Sequence, residues 1–298
     1  MKITNVHKLP EPLVTLARKN FYTKGQSRFS ATELLQPPRV RRLMEKFDDQ
    51  IESDVADQMW SLIGSALHVV MERGKTDGWI TEERLFAEIG GVSISGQIDI
   101  QQETPEGIII WDYKFTKAWA VMRNKKTWED QLNIYKWFVE TVKRKKVIGL
   151  KICAFVRDWN TYSTSEDYPP APTTVIDVAM QSSVDTENMI RRLIDMHQNS
   201  KVAADFEEEL PLCSDEDKWM SQTMFAVRRD GRKTAIRVFS TEAEAIVLAE
   251  KEKGYVEKRS GEPRRCLGNF CQVAKFCEQF KQQHGELLSA ETSVVGLA

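Results

Sequence analysis

Residues 107–114 read Gly-Ile-Ile-Ile-Trp-Asp-Tyr-Lys, an apolar run that ends in an aspartate and a lysine separated by one position. A run of this kind, bounded by Pro105 and by polar residues from Thr116 onward, predicts a buried strand. Because side chains alternate along a strand, Asp112 and Lys114 should lie on one face of the sheet and Tyr113 on the other.

A second strand is predicted just upstream, over Val92–Ile100, and it ends in the motif Gly96-x-x-Asp99. If the two strands pair as a hairpin through Gln101–Gly107, Asp99 approaches Asp112. Two carboxylates beside one ammonium group would form a divalent-metal site with a catalytic cation. For an isolated Asp-x-Lys motif, a surface salt bridge at a strand end is the better interpretation.

The composition is typical of a soluble globular protein, with 298 residues, of which 41% are hydrophobic and 29% charged. The length allows one large domain or a core domain with a smaller appendage. The net charge is only −2, so binding to a polyanion would need local basic patches. Residues Met1–Pro12 do not resemble a signal peptide, and no stretch approaches the roughly 20 apolar residues of a transmembrane helix. We therefore expect a cytosolic protein.

The first strong amphipathic helix is predicted over Ala56–Arg73. Its apolar side chains form one stripe at helical spacing, which consists of Val55, Met59, Leu62, Ile63, Ala66, Leu67 and Val70. His68 projects nearly opposite the middle of that stripe, so it either faces solvent or points at a site.

The pattern that follows predicts an α/β domain with a mixed central sheet flanked by helices. Three successive strands, over Glu83–Ile89, Val92–Ile100 and Gly107–Lys114, indicate an antiparallel meander. The next predicted elements are, in order, a helix over Thr127–Arg144 with Gln131 and Tyr135 on one face, a strand over Val147–Val156, an extended stretch over Thr174–Met180 and a helix over Asp185–Asn199 in which His197 is a cap or surface group.

A change of composition at the acidic stretch Asp205–Glu209 indicates a boundary. Beyond it, two short strands flank the turn Asp230-Gly231, and a helix begins after Ser240. This β-β-α segment is too small to fold alone and is interpreted as an insertion. We predict three parts: a core with an N-terminal helical part over 1–205, a linker with the β-β-α insert over 206–262, and a cysteine segment with a tail over 263–298.

Three of the five cysteines, Cys266, Cys271 and Cys277, cluster near the C-terminus, and Cys213 precedes the insert. In a cytosolic protein such thiols are expected to be ligands or core residues rather than disulfides. Four thiolates brought together would bind zinc or an iron–sulfur cluster. Three clustered cysteines with one remote partner favour iron–sulfur over the paired Cys-x2-Cys ligands of structural zinc. Cys153 lies in a predicted apolar strand, where a thiol needs no ligand role.

Taken in order, these motifs resemble those of the PD-(D/E)XK nuclease superfamily, in its RecB-like branch with a C-terminal iron–sulfur cluster. CRISPR-associated exonucleases and phage-encoded recombination exonucleases are nearest in pattern. The resemblance covers roughly residues 28–280 and rests on five signals, namely Gly64-x3-His68, Gly96-x2-Asp99, Asp112-x-Lys114, Gln131-x3-Tyr135 and the terminal cysteines. The sequence departs from the family where Ile98 replaces the proline before Asp99 and in the C-x4-C-x5-C spacing of the last cysteines.

The resemblance implies a divalent cation, Mg²⁺ or Mn²⁺, bound by His68, Asp99, Asp112 and the Tyr113 carbonyl. This cation would polarise the scissile phosphate and acidify a bound water, which Lys114 would position or deprotonate. The implied cluster is a [4Fe-4S] group, with zinc as the alternative, and its ligands would be Cys213, Cys266, Cys271 and Cys277.

Two residues of the predicted helix after the meander, Gln131 and Tyr135, would orient Lys114 and the DNA backbone. Without the resemblance, an ordinary amphipathic face explains them nearly as well. Glu88, on the strand before Asp99, is a further candidate ligand.

A cationic segment between two tryptophans is the candidate for DNA binding. It contains Arg123, Lys125 and Lys126 and lies between Trp119 and Trp128. Aromatic rings interleaved with cations suit stacking of bases and tracking of phosphates. Core packing explains the two tryptophans about as well.

We therefore expect a Mg²⁺- or Mn²⁺-dependent deoxyribonuclease, acting as an exonuclease in phage or prophage DNA processing, recombination or repair in the host bacterial cytosol. Its partners would be DNA, as single strands or duplex ends, and a phage recombination protein or another phage protein. The alternative is a non-catalytic nucleic-acid or protein-binding module on a nuclease fold with a structural iron–sulfur or zinc site. The joint presence of His68, Asp99, Asp112 and Lys114 argues against that alternative.

Overall fold

A computed structural model describes residues 1–19, 23–74, 76–123, 126–163, 165–206 and 208–284. The chain divides into two compact units, the first formed by residues 1–38 and 52–209 and the second by residues 39–51 and 210–298. A segment predicted to belong to the N-terminal helical part of the core is therefore part of the second unit. Within the described residues, none of the helices is long and apolar enough to cross a membrane.

The helices and strands up to the first long helix after the meander are β1 (Lys2–Thr4), α1 (Glu11–Arg18), β2 (Phe29–Ser30), α2 (Ala31–Leu34), α3 (Pro38–Lys46), β3 (Glu52–Asp54), α4 (Val55–Met71), β4 (Trp79–Ile89), β5 (Val92–Thr104), β6 (Gly107–Thr116), α5 (Ala118–Met122) and α6 (Lys126–Phe138), which a π-helical turn extends over Val139–Lys143. The later elements are β7 (Val147–Val156), β8 (Thr173–Val178), α7 (Ser183–Asp205), β9 (Met224–Arg228), β10 (Arg237–Phe239), α8 (Glu242–Glu252), β11 (Tyr255–Arg259), α9 (Arg264–Leu267) and a 3₁₀ turn over Ala274–Phe276.

The predicted α/β fold with a mixed central sheet is confirmed. In the first unit, the strand order is β2-β5-β6-β7-β8, and β4 pairs with β5. The meander β4-β5-β6 is antiparallel, whereas β6 and β7 run parallel. The parallel pair follows from the crossover through α6, because two parallel neighbours need a long connection that covers one face of the sheet.

Helix α6 packs closely on the sheet because β5 has a glycine at the point of approach. A Cβ atom on Gly96 would lie 3.0 Å from the Phe138 ring and 3.1 Å from the Tyr135 ring. The buried side chains of this interface are mostly branched aliphatic residues of the strands, with Leu132, Ile134 and Phe138 from the helix. Packing at this density brings α6 within reach of the side chains of β6.

The predicted apolar stripe of α4 is only partly buried, in contrast to what its spacing indicates. Val55 is fully buried, but Ile63 is 39% exposed and Val70 is 58% exposed. The helix begins with a capping box in which Asp54 accepts from the Ala56 backbone N–H at 3.0 Å. Periodicity therefore predicts the helix, but the apolar side chains of its stripe are more exposed than the spacing indicates.

The predicted surface or capping role of His197 is wrong. Helix α7 continues to Asp205, so His197 lies well inside it and is 1% exposed. Its Nε2–H donates to the backbone carbonyl of Leu34 at 3.1 Å. The buried imidazole therefore joins α7 to α2 within the first unit.

The second unit contains the β-β-α insert and the cysteines. In the insert, β9 lies between β10 and β11, and α8 packs on this sheet through Val227, Ala245 and Ala249. The cysteines belong to a separate small core whose buried members are Val40, Leu43, Ile51, Cys271, Val273, Ala274, Cys277 and Phe280. Arg39 ties the two chain segments of this core together, because its Nε–H donates to the Pro211 carbonyl at 3.0 Å.

Candidate active site

The site lies at the opening of the sheet, which is the place where β5 and β6 separate. Their registered pairs run from Thr104–Gly107 to Ile100–Trp111, so the hairpin predicted from the sequence forms with a shorter turn. Past the last pair, Asp99 Oδ2 accepts a hydrogen bond from the Tyr113 backbone N–H at 2.7 Å. The Asp99 side chain thus takes the place of the next ladder bond, and it is held beside Asp112, as the sequence predicts.

A lysine and two residues of α6 complete one side of the opening. Lys114 Nζ lies 2.5 Å from Asp112 Oδ2 and donates to Gln131 Oε1 at 3.0 Å. Gln131 Nε2 in turn donates to Tyr135 Oη at 2.7 Å. The i, i+4 spacing of the two α6 residues puts them in one row, so the chain of contacts fixes the position of the ammonium group.

His68 and an unpredicted carboxylate complete the other side. His68 Nδ1 lies 3.1 Å from Glu82 Oε1 and 3.7 Å from Asp99 Oδ1. The ligand atoms of His68, Glu82 and Asp99 all lie within 4.8 Å of one another. Asp112 is not a member of this mutually close set among the described residues.

Glu82 is not among the site residues that the sequence predicts, and the further candidate on the same strand, Glu88, lies away from the site. Glu88 is exposed and pairs with Ser93, six positions along β4 from the site. Glu82 lies opposite Asp99, since its neighbours Thr81 and Glu83 pair with Ile100 and Ile98. The doubled acid Glu82-Glu83 was the available signal, because adjacent residues of a strand point to opposite faces.

Glu82 has an unusual backbone conformation for a strand residue. Its φ is +52°, in the left-handed region that a non-glycine residue rarely adopts. Such a conformation costs about 1–3 kcal/mol and is found mainly where the surroundings impose it. The side chain is also held by Gln97, whose Nε2 donates to Glu82 Oε2 at 2.6 Å.

The electrostatics of the site favour a bound cation. Burial, reinforced by the charge of Asp112, raises the pKa of Asp99 to about 7. The hydrogen bond with Glu82 raises the pKa of His68. Asp112 is 1% exposed. Its Oδ2 forms an ion pair with Lys114 but no hydrogen bond. Carboxylate oxygens with one imidazole nitrogen fit Mg²⁺ or Mn²⁺, and such a cation would relieve the crowding of negative charge.

The structure separates the two tryptophans of the candidate DNA-binding segment. Trp128 is 8% exposed and belongs to the core, whereas Trp119 is 45% exposed and has the Arg123 guanidinium 5.2 Å from its ring centroid. Lys126 pairs with Glu129 and Asp130 on its own helix. Lys125 lies outside the described residues.

The four cysteines of the second unit line one cavity of about 20 Å³. A hydrogen bond from the Cys266 thiol lowers the pKa of Cys271 to about 6, and burial raises the pKa of Cys213 to about 12. Cys153 lies on β7 in the first unit. The cavity therefore joins Cys213 with Cys266, Cys271 and Cys277, the set chosen from the sequence.

Comparison with known proteins identifies the family of the chain. A search of curated proteins finds no match. Among solved structures, SSO0001 is 15% identical with a TM-score of 0.42, over 62% of this chain and 82% of that one. A candidate exonuclease from Eubacterium rectale is 11% identical with a TM-score of 0.29, over 58% of this chain and 64% of that one.

The family model of the PD-(D/E)XK nuclease superfamily matches residues 14–278. This range includes the strands and helices that carry every side chain of the opening described above. The chain belongs to the PD-(D/E)XK nuclease superfamily.

Proposed function

We propose that this protein is a Mg²⁺- or Mn²⁺-dependent deoxyribonuclease that hydrolyses phosphodiester bonds. The observation that carries the proposal is the convergence of Asp99, Asp112 and Lys114 with His68 and Glu82 at one opening of the sheet. Its action as an exonuclease in phage DNA processing, recombination or repair rests on the order of the motifs alone.

The metal would be held by His68, Glu82 and Asp99, with Asp112 beside them. When bound, the cation polarises the scissile phosphate and acidifies a water molecule. The imidazole shifts preference from Mg²⁺ toward Mn²⁺, because nitrogen is a softer ligand than a carboxylate oxygen. The Tyr113 carbonyl, a further predicted ligand, stays a prediction.

Lys114 would act on the phosphate and the water. Its ammonium group donates to Gln131, lies 2.5 Å from Asp112 Oδ2, and retains N–H groups that can donate to a phosphate oxygen or to the attacking water. A fixed donor at the point where negative charge develops stabilises the transition state more than the ground state. Gln131 and Tyr135 are positioning residues, since they act through Lys114.

The cysteines of the second unit would hold a [4Fe-4S] cluster. Three clustered cysteines with one remote partner, rather than two Cys-x2-Cys pairs, favour this cluster over zinc. The four thiols line one cavity, and the Cys266 thiol donates to Cys271. An absorbance band at about 400 nm, together with iron in the purified protein, tests this assignment. A colourless protein with stoichiometric zinc contradicts it.

The nuclease proposal is tested with purified protein, Mg²⁺ or Mn²⁺, and end-labelled linear DNA beside closed circular DNA. We expect the wild-type protein to degrade the linear DNA, and Asp112→Ala and Lys114→Ala to be inert while folded. Lys117→Ala, which removes an exposed lysine next to the same strand, is the matched control and should remain active. Equal activity of all four proteins contradicts the site, and degradation of circular DNA contradicts the exonuclease assignment.

A further inference from the structure

The β-β-α insert has its positive and negative side chains on different elements. Its strands and their connecting hairpin carry seven cations, namely Arg228, Arg229, Arg232, Lys233, Arg237, Lys258 and Arg259, against the acids Asp230 and Glu257. Helix α8 carries four acids, Glu242, Glu244, Glu250 and Glu252, against one cation, Lys251. A sequence with almost no net charge therefore has a local basic surface, which is what binding to a polyanion requires.

The sheet of the insert presents arginines on the face opposite α8. Val227 faces the helix, so its neighbours Ala226 and Arg228 point to the other face. On that face Glu257 accepts from Arg228 at 2.9 Å and from Arg259 at 2.7 Å. One carboxylate shared by two guanidinium groups leaves a net positive charge and holds both arginines in place.

The hairpin between β9 and β10 extends this basic surface. Its turn is closed by Gly231, with φ +76°, and by a hydrogen bond from the Arg232 backbone N–H to the Arg229 carbonyl at 3.1 Å. The side chains of Arg229, Arg232 and Lys233 are exposed. A two-stranded ribbon of this kind fits the major groove of duplex DNA, which is about 12 Å wide.

We propose that the sheet face carrying Arg228 and Arg259, together with the hairpin, binds the phosphate backbone of double-stranded DNA. This role rests on the proposed function in one respect, that DNA is the substrate. Guanidinium groups are the preferred partners of phosphates. Duplex DNA is the better-matched occupant, because it presents one negative charge per about 1.7 Å of its axis whatever its sequence. Arg237 and Lys258 share the α8 side of the sheet with their partners Val227 and Phe225. The binding surface is therefore the opposite face, which carries Arg228 and Arg259, together with the hairpin.

The test measures binding of the full chain to a labelled duplex of about 30 bp by fluorescence anisotropy, with EDTA to prevent cleavage. For Arg229→Glu with Arg232→Glu, we expect affinity to fall about 10-fold or more, and the slope of log K against log salt to decrease by about 2. The matched control is Lys251→Glu on α8, which reverses an exposed charge in the same insert and should bind like the wild-type protein. The milder Arg232→Gln, in the exposed turn, should reduce the slope by about 1 without threatening the fold.

The outcomes separate this proposal from the nuclease proposal. Weaker binding by the hairpin variants, with cleavage of short oligonucleotides retained, supports it. Weaker binding with wild-type protein that never cleaves DNA supports the surface and refutes the nuclease. Unchanged affinity and salt slope in both hairpin variants overturn the proposal and leave the basic sheet to an acidic protein. An equal loss of affinity in Lys251→Glu also overturns it, because the effect would then follow net charge alone.

Discussion

The two candidate metal sites of this protein are built in different ways. In the first unit, Glu82, Asp99 and Asp112 stand on adjacent strands whose pairing fixes their positions. In the second unit, Cys213 lies in a loop and Cys271 in a bend, between helical turns of three or four residues. The hydrogen-bonded strands therefore position the carboxylates without a metal. The cysteines, in contrast, lie in segments with little regular secondary structure to hold their side chains in place.

The difference also appears in the energetics. The carboxylate site concentrates negative charge that opposes folding, as the raised pKa of Asp99 indicates. Burial of the large core of the first unit offsets this unfavourable free energy. The cysteine site has a core of eight buried residues, and two of them are themselves cysteines. We infer that removal of the proposed metals would leave the first unit folded and unfold the cysteine core of the second, because ligand binding is folding free energy where no site is formed in advance.

The largest effect is expected for Asp112→Asn in the first unit. Cleavage should fall at least about 100-fold, since a buried charge at the centre of the site is lost. The fold should persist, and the pKa of Asp99 should fall below about 7, since the charge of Asp112 contributes to raising it. Single-turnover cleavage, thermal unfolding and carboxyl NMR titration measure the three quantities. Unfolding of the variant would contradict the claim that the ladder alone assembles this site.

The complementary change in the second unit is Cys271→Ser. We expect the absorbance at about 400 nm to disappear, and trypsin to cut within residues 210–284 while residues 52–209 stay protected. Limited proteolysis followed by mass spectrometry measures both units in one experiment. The matched control is Cys153→Ser, which removes a thiol from β7 and should change neither the absorbance nor the protection. Full protection of the Cys271→Ser protein would show that the second unit folds without the proposed cluster.

A smaller effect is expected at Glu82, where the backbone itself is strained. Glu82→Gly should bind Mn²⁺ about 10-fold more weakly, because a carboxylate is lost. It should also gain about 1 kcal/mol of stability, because glycine adopts positive φ freely. Titration calorimetry with Mn²⁺ and urea unfolding measure the two effects. Glu88→Gly, on the same strand but away from the site, should leave Mn²⁺ affinity unchanged; if it matches Glu82→Gly, Glu82 is not a ligand.

The part of the site that the sequence could predict is the part set by local pairing. Asp99, Asp112 and Lys114 follow from strand alternation and one hairpin, and Gln131 with Tyr135 follows from helical spacing. For Glu82 the sequence offers only the doubled acid Glu82-Glu83 as a signal. Glu82 itself has a left-handed backbone conformation opposite Asp99, which no local pattern predicts.

Tertiary packing explains the other errors. Helix α7 continues to Asp205, so His197, which the sequence predicts as a cap or surface group, lies inside the helix and is buried. The stripe of α4 was expected in the core because helical periodicity reports an apolar face without reporting what covers it. The joining of residues 39–51 to the cysteine core depends on contacts distant in sequence, which no local pattern contains.

The smallest effect tests how rigidly the ladder-built site holds its lysine. Tyr135→Phe removes the oxygen that accepts from Gln131 Nε2, so cleavage should slow by a factor of about 3, the equivalent of one neutral hydrogen bond at its weaker end. Gln131→Ala removes the contact to Lys114 directly and should slow cleavage by about 10-fold. The double variant should be no slower than Gln131→Ala, because Tyr135 acts through Gln131. Additive losses, measured in single turnover at saturating Mn²⁺, would mean that Tyr135 contacts the DNA itself.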